Sequence, residues 1–213
     1  PEDMPLQLGA IAEPVAVSLH GVRRAGDVKG KSVLVWGNGP IGVYAAIAAK
    51  HSGAEKIYMV GRNDGRVSFC NSLDYVDGCF SVLYGDFDAK MQAAAPGGFE
   101  IIIDALGNES SYNGICRYAK PGGTAALLGL HSAEVNFSTY ALLAKEIDLR
   151  PSWFFTLHDY DDAVKMISEN RDLFMATITN EIPCRADEVQ EMFLKLFESG
   201  KNDEMKVVIN PNL

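Results

Sequence analysis

The chain has 213 residues, of which 19 are basic and 28 acidic, giving a formal net charge of -9, and 47% of them are hydrophobic. This length and apolar content suffice for one large domain, or for a domain with a smaller additional segment. The acidic balance excludes the overall basic footprint of a nucleic-acid-binding protein. No apolar run approaches a membrane span and no secretory signal is recognisable, so we expect no membrane partner and a cytoplasmic location.

The cysteines carry no sign of a metal site or a disulfide framework. None forms a CxxC motif, and none lies near a histidine at zinc-finger spacing. We therefore expect reduced and mostly buried thiols, as in a cytoplasmic protein. The four are Cys70, Cys79, Cys116 and Cys184. The sequence starts at Pro1 rather than at a methionine, which leads us to expect a piece of a longer chain.

The first predicted elements are a helix, a strand and a second helix. Residues 10–24 are predicted to be helical, with Pro14 near the start of the helix or at a kink. Residues 33–36 form an apolar run typical of a buried parallel strand. Glycines follow in the pattern GxGxxG, and an alanine-rich helix is predicted over 43–50. Strand, glycine turn and helix in this order are the context that a dinucleotide-binding fingerprint requires.

Each position of the glycine turn has a physical role. Gly37 permits the tight turn, Gly39 lets a pyrophosphate approach the backbone, and Gly42 lets the helix pack against the strand. Pro40 suits the first helical turn, where its missing N–H is not needed. The helix N-terminus offers unpaired N–H groups and a partial positive charge to the phosphates. The predicted cofactor-binding turn comprises Gly37, Asn38, Gly39, Pro40, Ile41 and Gly42.

Strands and helices continue to alternate after the glycine turn. We predict strands over 56–60, 78–82, 99–105, 124–130 and 147–155, and helices over 65–72, 86–95, 110–119, 138–145 and 159–170. Asp64 is the expected cap of the helix over 65–72, and a Pro-Gly-Gly triplet at 121–123 is expected to close the helix over 110–119. Pro151 interrupts the last strand and suggests an edge or a bulge. We assign Trp36 to the core, and residues 153–155 to strand packing with one face towards an oligomer partner or the substrate cleft.

Six strands with the glycine motif on the first predict an α/β fold. The expected architecture is a doubly wound, six-stranded parallel Rossmann sheet in the order 3-2-1-4-5-6, with helices on both faces. A ligand then lies outside the carboxyl ends of the strands. The exits of the fourth and fifth strands should face that crevice, and their candidate cofactor-binding residues are Ala105, Leu106, Gly107, Gly129, Leu130 and His131. For His131, an ordinary loop position is the alternative.

The last forty residues break the alternation. Strands predicted over 178–182 and 205–209 flank an amphipathic helix over 186–199. Since six strands already complete the sheet, we expect two parts. Residues 1–173 would contain a first helix and the dinucleotide-binding domain, and residues 174–213 would belong to a second layer or domain.

With these motifs in hand, the chain resembles the medium-chain dehydrogenase/reductase family, near its zinc-dependent alcohol and polyol dehydrogenases. The matching motifs occur in the family's order over nearly the whole chain. They are Glu13-Pro14-Val15-Ala16-Val17, Arg23-Arg24-Ala25-Gly26, the glycine turn, Asp104-Ala105-Leu106-Gly107-Asn108, Lys120-Pro121-Gly122-Gly123 and Lys206-Val207-Val208-Ile209. In this family a GroES-like catalytic domain precedes the Rossmann domain, and a tail returns to it. The resemblance therefore assigns residues 174–213 to that tail.

The resemblance implies reversible hydride transfer between a nicotinamide cofactor and the carbon of a small alcohol or polyol. In such enzymes Zn²⁺ polarises the substrate oxygen, and the proteins are often homo-oligomers. The family's zinc-binding Cys and His-Glu motifs are absent from this sequence, so catalytic residues stay unassigned. We expect the chain alone to bind cofactor without turnover. Glu13 matches a family glutamate that approaches the zinc or its water, and the alternative is a surface or capping carboxylate.

The residue after the second strand distinguishes NAD from NADP. NAD enzymes place an acidic residue there to bond the ribose 2′-OH, whereas this chain has Gly61 followed by Arg62. Arg62 can pair with a 2′-phosphate through two N–H groups, and Asn63 and Arg66 are near enough in sequence to assist. NADP is therefore favoured over NAD. The alternative is that Arg62 only stacks over adenine.

Two other functions remain open from the residues. One is a zinc-free, quinone reductase-like member of the same family. The other is a non-catalytic NAD(P)-binding module, because one fold hosts many functions. The absence of a G-x-S-x-G nucleophile elbow disfavours hydrolase chemistry.

Overall fold

The computed structural model describes residues 2–197 and 203–213, which contain a six-stranded parallel sheet with helices on both faces. The strands of this sheet are β1 (Ser32–Trp36), β2 (Lys56–Gly61), β3 (Gly78–Ser81), β4 (Phe99–Asp104), β5 (Ala119–Leu127) and β6 (Asp148–Pro151). Their order is β3-β2-β1-β4-β5-β6, and every neighbouring pair is parallel. The predicted doubly wound sheet and its strand order are confirmed.

Helices connect the successive strands, as the crossovers between parallel strands require. They are α1 (Leu6–Gly9), α2 (Ala12–Ala25), α3 (Pro40–His51), α4 (Asp64–Asn71), α5 (Phe87–Ala94), α6 (Glu109–Tyr118), α7 (Thr139–Ala144), α8 (Leu157–Glu169), α9 (Arg171–Met175) and α10 (Ala186–Phe197). The last two residues of the helix predicted over 186–199 lie outside the described residues. No described helix has the length and apolarity needed to cross a membrane.

The core consists of two layers, one on each face of the sheet. Successive side chains of β1 point to opposite faces, as strand geometry requires. Val33 and Val35 join the layer that contains α2 and α3, whereas Leu34 and Trp36 join the layer under α5 and α6. Every residue of α3 from 42 to 49 is buried, and the alanines among them allow close approach to the sheet. This packing positions the start of α3 above the end of β1.

A buried carboxylate ties α2 to α8. Asp159 is 3% exposed and accepts hydrogen bonds from the Thr156 backbone N–H (2.8 Å), the Thr156 hydroxyl (2.6 Å) and Arg23 Nη1 (2.7 Å). Its Oδ2 also lies 2.8 Å from Nδ1 of His20. Burial alone would raise the pKa of Asp159, but these hydrogen bonds lower it below its ordinary value. The network joins α2 to the cap of α8.

Asp159→Asn is expected to lower the free energy of unfolding by about 2 kcal/mol, because it removes charged hydrogen bonds from a buried site. The lowered pKa means that the carboxylate stabilises the fold fully above pH ~4 and loses that contribution as the pH falls towards the folded-state pKa. Urea unfolding at several pH values between 3 and 7 should therefore show a weaker acid dependence in the variant. Asp161→Asn, at an exposed position of the same helix, is the matched control. Equal stability of the two variants at pH 7 would contradict this role.

The sixth strand is shorter than predicted. It ends at Pro151, which has no N–H to continue a hydrogen-bond ladder. Phe154 follows with a φ of 54°, a backbone conformation outside the β region. Trp153 and Phe154 are 68% and 59% exposed. The prediction of a strand through residue 155 is therefore wrong, and this aromatic segment leaves the sheet.

The cap of α4 also differs from the prediction. Asn63, not Asp64, is the N-cap, and its side-chain oxygen accepts from the backbone N–H of Arg66 at 2.8 Å. An asparagine carboxamide caps a helix about as well as a carboxylate. Its position one residue earlier starts α4 at Asp64.

The Pro-Gly-Gly triplet at 121–123 does not close α6. These residues lie in β5, where the register against β4 shifts between Phe99 and Ile101. Pro121 lacks an N–H and cannot take part in a regular ladder. The triplet therefore marks an irregular start of β5, and α6 ends before it, at Tyr118.

The last forty residues form a second, smaller sheet. β7 (Ile178–Pro183) and β8 (Lys206–Asn210) pair in parallel, and α10 lies between them in sequence. Met205 is 3% exposed and belongs to the core layer of α2 and α3. In contrast, Phe193 and Phe197 of α10 are largely exposed. This segment is thus anchored on the main sheet and presents an apolar helix face outward.

Candidate functional site

The glycine turn joins β1 to α3 where the strand order reverses, since β1 pairs with β2 on one side and β4 on the other. Gly37 has a φ of 122° and donates its N–H to the Val60 carbonyl at 2.9 Å. Gly39 is the N-cap of α3 and Pro40 its first residue. A β-carbon on Gly42 would lie 1.9 Å from the Gly37 carbonyl oxygen. The turn therefore tolerates no side chain at Gly42.

The end of β2 has no room for a side chain beside Asn38. Asn38 is 6% exposed, and its Nδ2 lies 3.5 Å from the Asn63 carbonyl oxygen. A β-carbon on Gly61 would come within 2.2 Å of the carboxamide atoms of Asn38. Asn38 thus occupies the space next to the position where NAD enzymes carry an acidic residue. The sequence pointed to Asn38 and Gly61 as site residues, but it did not show that Asn38 leaves no room for a side chain at position 61.

Two arginines lie beside this turn in different environments. Arg62 is exposed and forms no hydrogen bond or ion pair with any residue of 2–197 or 203–213. Arg66 is half-buried, and its Nη1 lies 3.7 Å from the point that a Gly39 β-carbon would occupy. Its Nη2 donates to the Glu204 carbonyl at 2.7 Å. Burial lowers the pKa of Arg66, and the nearby Asp203 carboxylate opposes that shift.

The exits of β4 and β5 form one wall. The buried carboxylate of Asp104 accepts from the N–H groups of Leu106 (2.9 Å) and Gly107 (3.0 Å). Burial raises the pKa of Asp104, although these two N–H groups work against the shift. Across the loops, His131 N–H donates to the Leu106 carbonyl and Ser132 N–H to the Gly107 carbonyl, both at 3.0 Å. The two exits are thus held in register by backbone hydrogen bonds, and the His131 side chain is exposed.

A cavity of about 340 Å³ lies against this wall. It brings together five residues proposed from sequence, which are Glu13, Ile41, Ala105, Gly129 and Leu130. The lining is completed by Val17, Leu128, Ser152, Trp153 and Phe154. Trp153 and Phe154, expected in a strand with one face towards an oligomer partner or the substrate cleft, lie outside the strand and line this cavity. Gly107 and His131 are not among the lining residues.

A second cavity, of about 440 Å³, opens between the exit of β3 and α6. Trp36 lines it and stacks on Tyr118 with ring centres 5.9 Å apart, and Phe87 meets Trp36 edge-on at 6.2 Å. Val82 and Tyr84 contribute from the β3 exit. Sequence reasoning assigned Trp36 only to the core. Its position directly before the glycine turn was the signal that it lies at a strand end.

The metal-binding capacity of the described chain is limited. No group of three or more His, Cys, Asp or Glu side chains in residues 2–197 and 203–213 is arranged to hold a metal ion. Glu13 is exposed in the first turn of α2 and accepts no hydrogen bond from another described residue. Within the described ranges these side chains therefore do not form a zinc ligand set.

A parallel sheet whose strand order reverses at a glycine turn defines a Rossmann-type fold. Comparison with known proteins gives the family. The family model for zinc-binding dehydrogenases matches residues 40–169. The chain belongs to this family, the zinc-type branch of the medium-chain dehydrogenases/reductases, as its motifs indicated.

Individual relatives agree with this assignment. A probable D-xylulose reductase A of Aspergillus terreus is 31% identical over 206 residues, which cover 94% of this chain and 57% of that protein. L-Idonate 5-dehydrogenase from Escherichia coli superposes with a TM-score of 0.84 at 26% identity, over 98% of this chain and 58% of that one. The structure of S. aureus TarJ in complex with NADPH superposes with a TM-score of 0.80 at 25% identity, over 99% of this chain and 65% of that one. The chain thus spans about half the length of the curated relatives it matches.

Proposed function

We propose that this chain is the nicotinamide-cofactor-binding portion of a zinc-dependent alcohol or polyol dehydrogenase, which transfers a hydride reversibly between NAD(P) and an alcohol carbon. The observation that carries the proposal is the glycine turn at the reversal of strand order, where Gly39 carries no side chain and forms the N-cap of α3, with Arg66 Nη1 3.7 Å from the point that a Gly39 β-carbon would occupy. These features suit a pyrophosphate. The names of the relatives, D-xylulose reductase and L-idonate 5-dehydrogenase, support a small polyol or sugar acid as substrate.

The two ends of the cofactor occupy the two cavities. The adenine lies in the aromatic cavity beside Trp36, since a flat ring stacks well on aromatic side chains. The nicotinamide lies in the cavity beside Trp153, and when bound it supplies the hydride chemistry. The wall formed by the β4 and β5 exits orients the ring. Glu13 lines the same cavity, and in the complete enzyme it would be available there to a zinc site whose ligands other residues supply.

The preferred cofactor is NADP. Its 2′-phosphate pairs with the guanidinium of Arg62, which has no partner among the described residues. Asn63 is near enough in sequence to assist this contact. The exclusion of a side chain at Gly61 by Asn38 supports this choice, because an acidic residue there would bind the NAD ribose and repel the phosphate. S. aureus TarJ, a structural relative, was solved in complex with NADPH.

The segment 174–213 belongs with the GroES-like catalytic domain of the complete enzyme. The exposed apolar face of α10, formed by Phe193, Leu194 and Phe197, supports this proposal because it has no cover in the described chain. The chain alone binds cofactor and does not turn over. The complete enzyme is a cytoplasmic homo-oligomer, a proposal supported by free cysteines and by β6 at the sheet edge.

The two tryptophans of the chain allow a direct test, since one lies in each cavity. In Trp153→Phe, saturating NADP⁺ and adenosine 2′,5′-bisphosphate are both expected to change the Trp36 fluorescence. In Trp36→Phe, only NADP⁺ should change the Trp153 signal, because the bisphosphate lacks the nicotinamide half. An unmodified chain whose fluorescence shows no saturable response to NADP⁺ or NAD⁺ would contradict the proposed function.

A further inference from the structure

Arg66 joins the glycine turn to the C-terminal part of the chain. Its Nη2 donates to the backbone carbonyl of Glu204, 138 residues away in sequence, at 2.7 Å. Its Nη1 faces the turn, 3.7 Å from the point where Gly39 would carry a β-carbon. Its Nε is buried and has no acceptor among the described residues. Nη2 is therefore bound by the backbone of residue 204, Nε is buried without an acceptor among the described residues, and Nη1 lies beside the glycine turn.

Unsatisfied guanidinium N–H groups in a buried place cost free energy unless an acceptor completes them. The guanidinium fork matches planar or tetrahedral oxyanions and binds them through two donors. A dinucleotide held at the glycine turn brings phosphate oxygens to this region. The buried Nε and the Nη1 group beside the turn thus fit a cofactor phosphate, while Nη2 keeps its bond to the Glu204 carbonyl.

Residues 204 and 205, which lie at the C-terminal end of this contact, are held by hydrogen bonds with β7 and α10. The backbone N–H of Met205 donates to Thr179 Oγ1 at 2.9 Å, and the Thr179 hydroxyl donates to Glu204 Oε2 at 2.7 Å. Lys195 Nζ lies 2.7 Å from the other carboxylate oxygen of Glu204. Burial alone would raise the pKa of Glu204, but the bonds from Lys195 and Thr179 lower it. The position of the Glu204 carbonyl therefore follows that of the small β7–β8 sheet.

We propose that Arg66 couples cofactor binding to docking of the C-terminal segment 203–210. This inference rests on the proposed cofactor site. A bound phosphate fixes the guanidinium with Nη2 towards Glu204, and a docked tail in turn holds the guanidinium ready for the phosphate. Since coupling between two sites is reciprocal, the tail must strengthen cofactor binding by the same factor by which the cofactor strengthens tail docking. The segment assigned to the catalytic domain thereby responds to an occupied cofactor site.

The test combines hydrogen exchange with calorimetry on the full chain. NADP⁺ is expected to slow amide exchange in β8 roughly 5-fold or more. Thr179→Val removes the two hydrogen bonds that Thr179 makes with residues 204 and 205 without touching the cofactor, and should weaken NADP⁺ binding by a similar factor. Thr139→Val, at an exposed position of α7, is the matched control and should bind like the unmodified chain. Arg66→Lys keeps the positive charge but loses the fork, so NADP⁺ should no longer protect β8.

The outcomes separate this coupling from the cofactor site itself. Tight NADP⁺ binding with unchanged exchange in β8 overturns the coupling and leaves the proposed function standing. Unaltered affinity in a folded Thr179→Val variant, together with full protection in Arg66→Lys, overturns it as well. Failure of the unmodified chain to bind either NADP⁺ or NAD⁺ overturns both proposals.

Discussion

Gly42→Ala is expected to abolish measurable NADP⁺ binding and to lower the free energy of unfolding by about 3 kcal/mol. This value is at the upper end of the range for substitutions that overpack a site. The new β-carbon would lie 1.9 Å from the Gly37 carbonyl oxygen and 2.9 Å from its carbon. These are backbone atoms, so no rotamer change relieves the overlap and either the turn or α3 must move. In the proposed cofactor site the turn amides and the N-terminus of α3 hold the pyrophosphate, so their displacement should remove the binding site.

Urea unfolding and calorimetry measure both effects of Gly42→Ala. Gly9→Ala serves as the matched control, since its β-carbon would meet no atom within 4 Å, and it should retain stability and affinity. A Gly42→Ala chain that binds NADP⁺ with unaltered affinity would refute the role of this turn.

Arg62→Ala is expected to weaken NADPH binding by roughly 10- to 100-fold, because it removes one or two charge-assisted hydrogen bonds to the 2′-phosphate. NADH binding should change little, because NADH has no 2′-phosphate to pair with the guanidinium. Calorimetric titration of each variant with both cofactors measures the difference. Arg185→Ala removes an exposed arginine that pairs with Glu188 near β7, and should leave both affinities unchanged. Equal losses for NADPH and NADH would show instead that Arg62 stacks over the adenine.

The pairing of Asn38 with Gly61 refines this test. Gly61→Asp alone should not create tight NADH binding, because its β-carbon would lie within 2.2 Å of the Asn38 carboxamide. With Asn38→Ala added, the acidic side chain has room to reach the ribose 2′-OH. The double variant is therefore expected to prefer NADH. Tight NADH binding by the single variant would mean that Asn38 moves aside readily.

Local patterns were sufficient to predict the sheet. Apolar runs such as 33–36 and 99–104 alternate with helical segments between glycine and proline breakers, and only a few topologies satisfy such an alternation. The same reasoning failed at residues 153–155. An aromatic run is typical of a strand. No local sequence feature indicates that Pro151 ends the hydrogen-bond ladder or that Phe154 takes a positive φ.

The site was predictable only in part, because several of its contacts are long-range. The glycine turn and the strand exits follow from position along the sheet, and Glu13 followed from the family resemblance. In contrast, the bond from Arg66 to Glu204 spans 138 residues and leaves no periodic trace in the sequence. Trp36 could not be placed in a cavity, because a buried aromatic residue at a strand end has the same pattern as one in the core.

We propose that this chain contains a functional NADP-selective site. The most direct measurement is a calorimetric titration of the unmodified chain with NADPH and with NADH at one salt concentration. We predict saturable binding of both, with NADPH at least roughly 10-fold tighter, as expected for one additional charge-assisted contact. Tighter binding of NADH would contradict the assignment of Arg62 to the 2′-phosphate, and binding of neither cofactor would contradict the cofactor site itself.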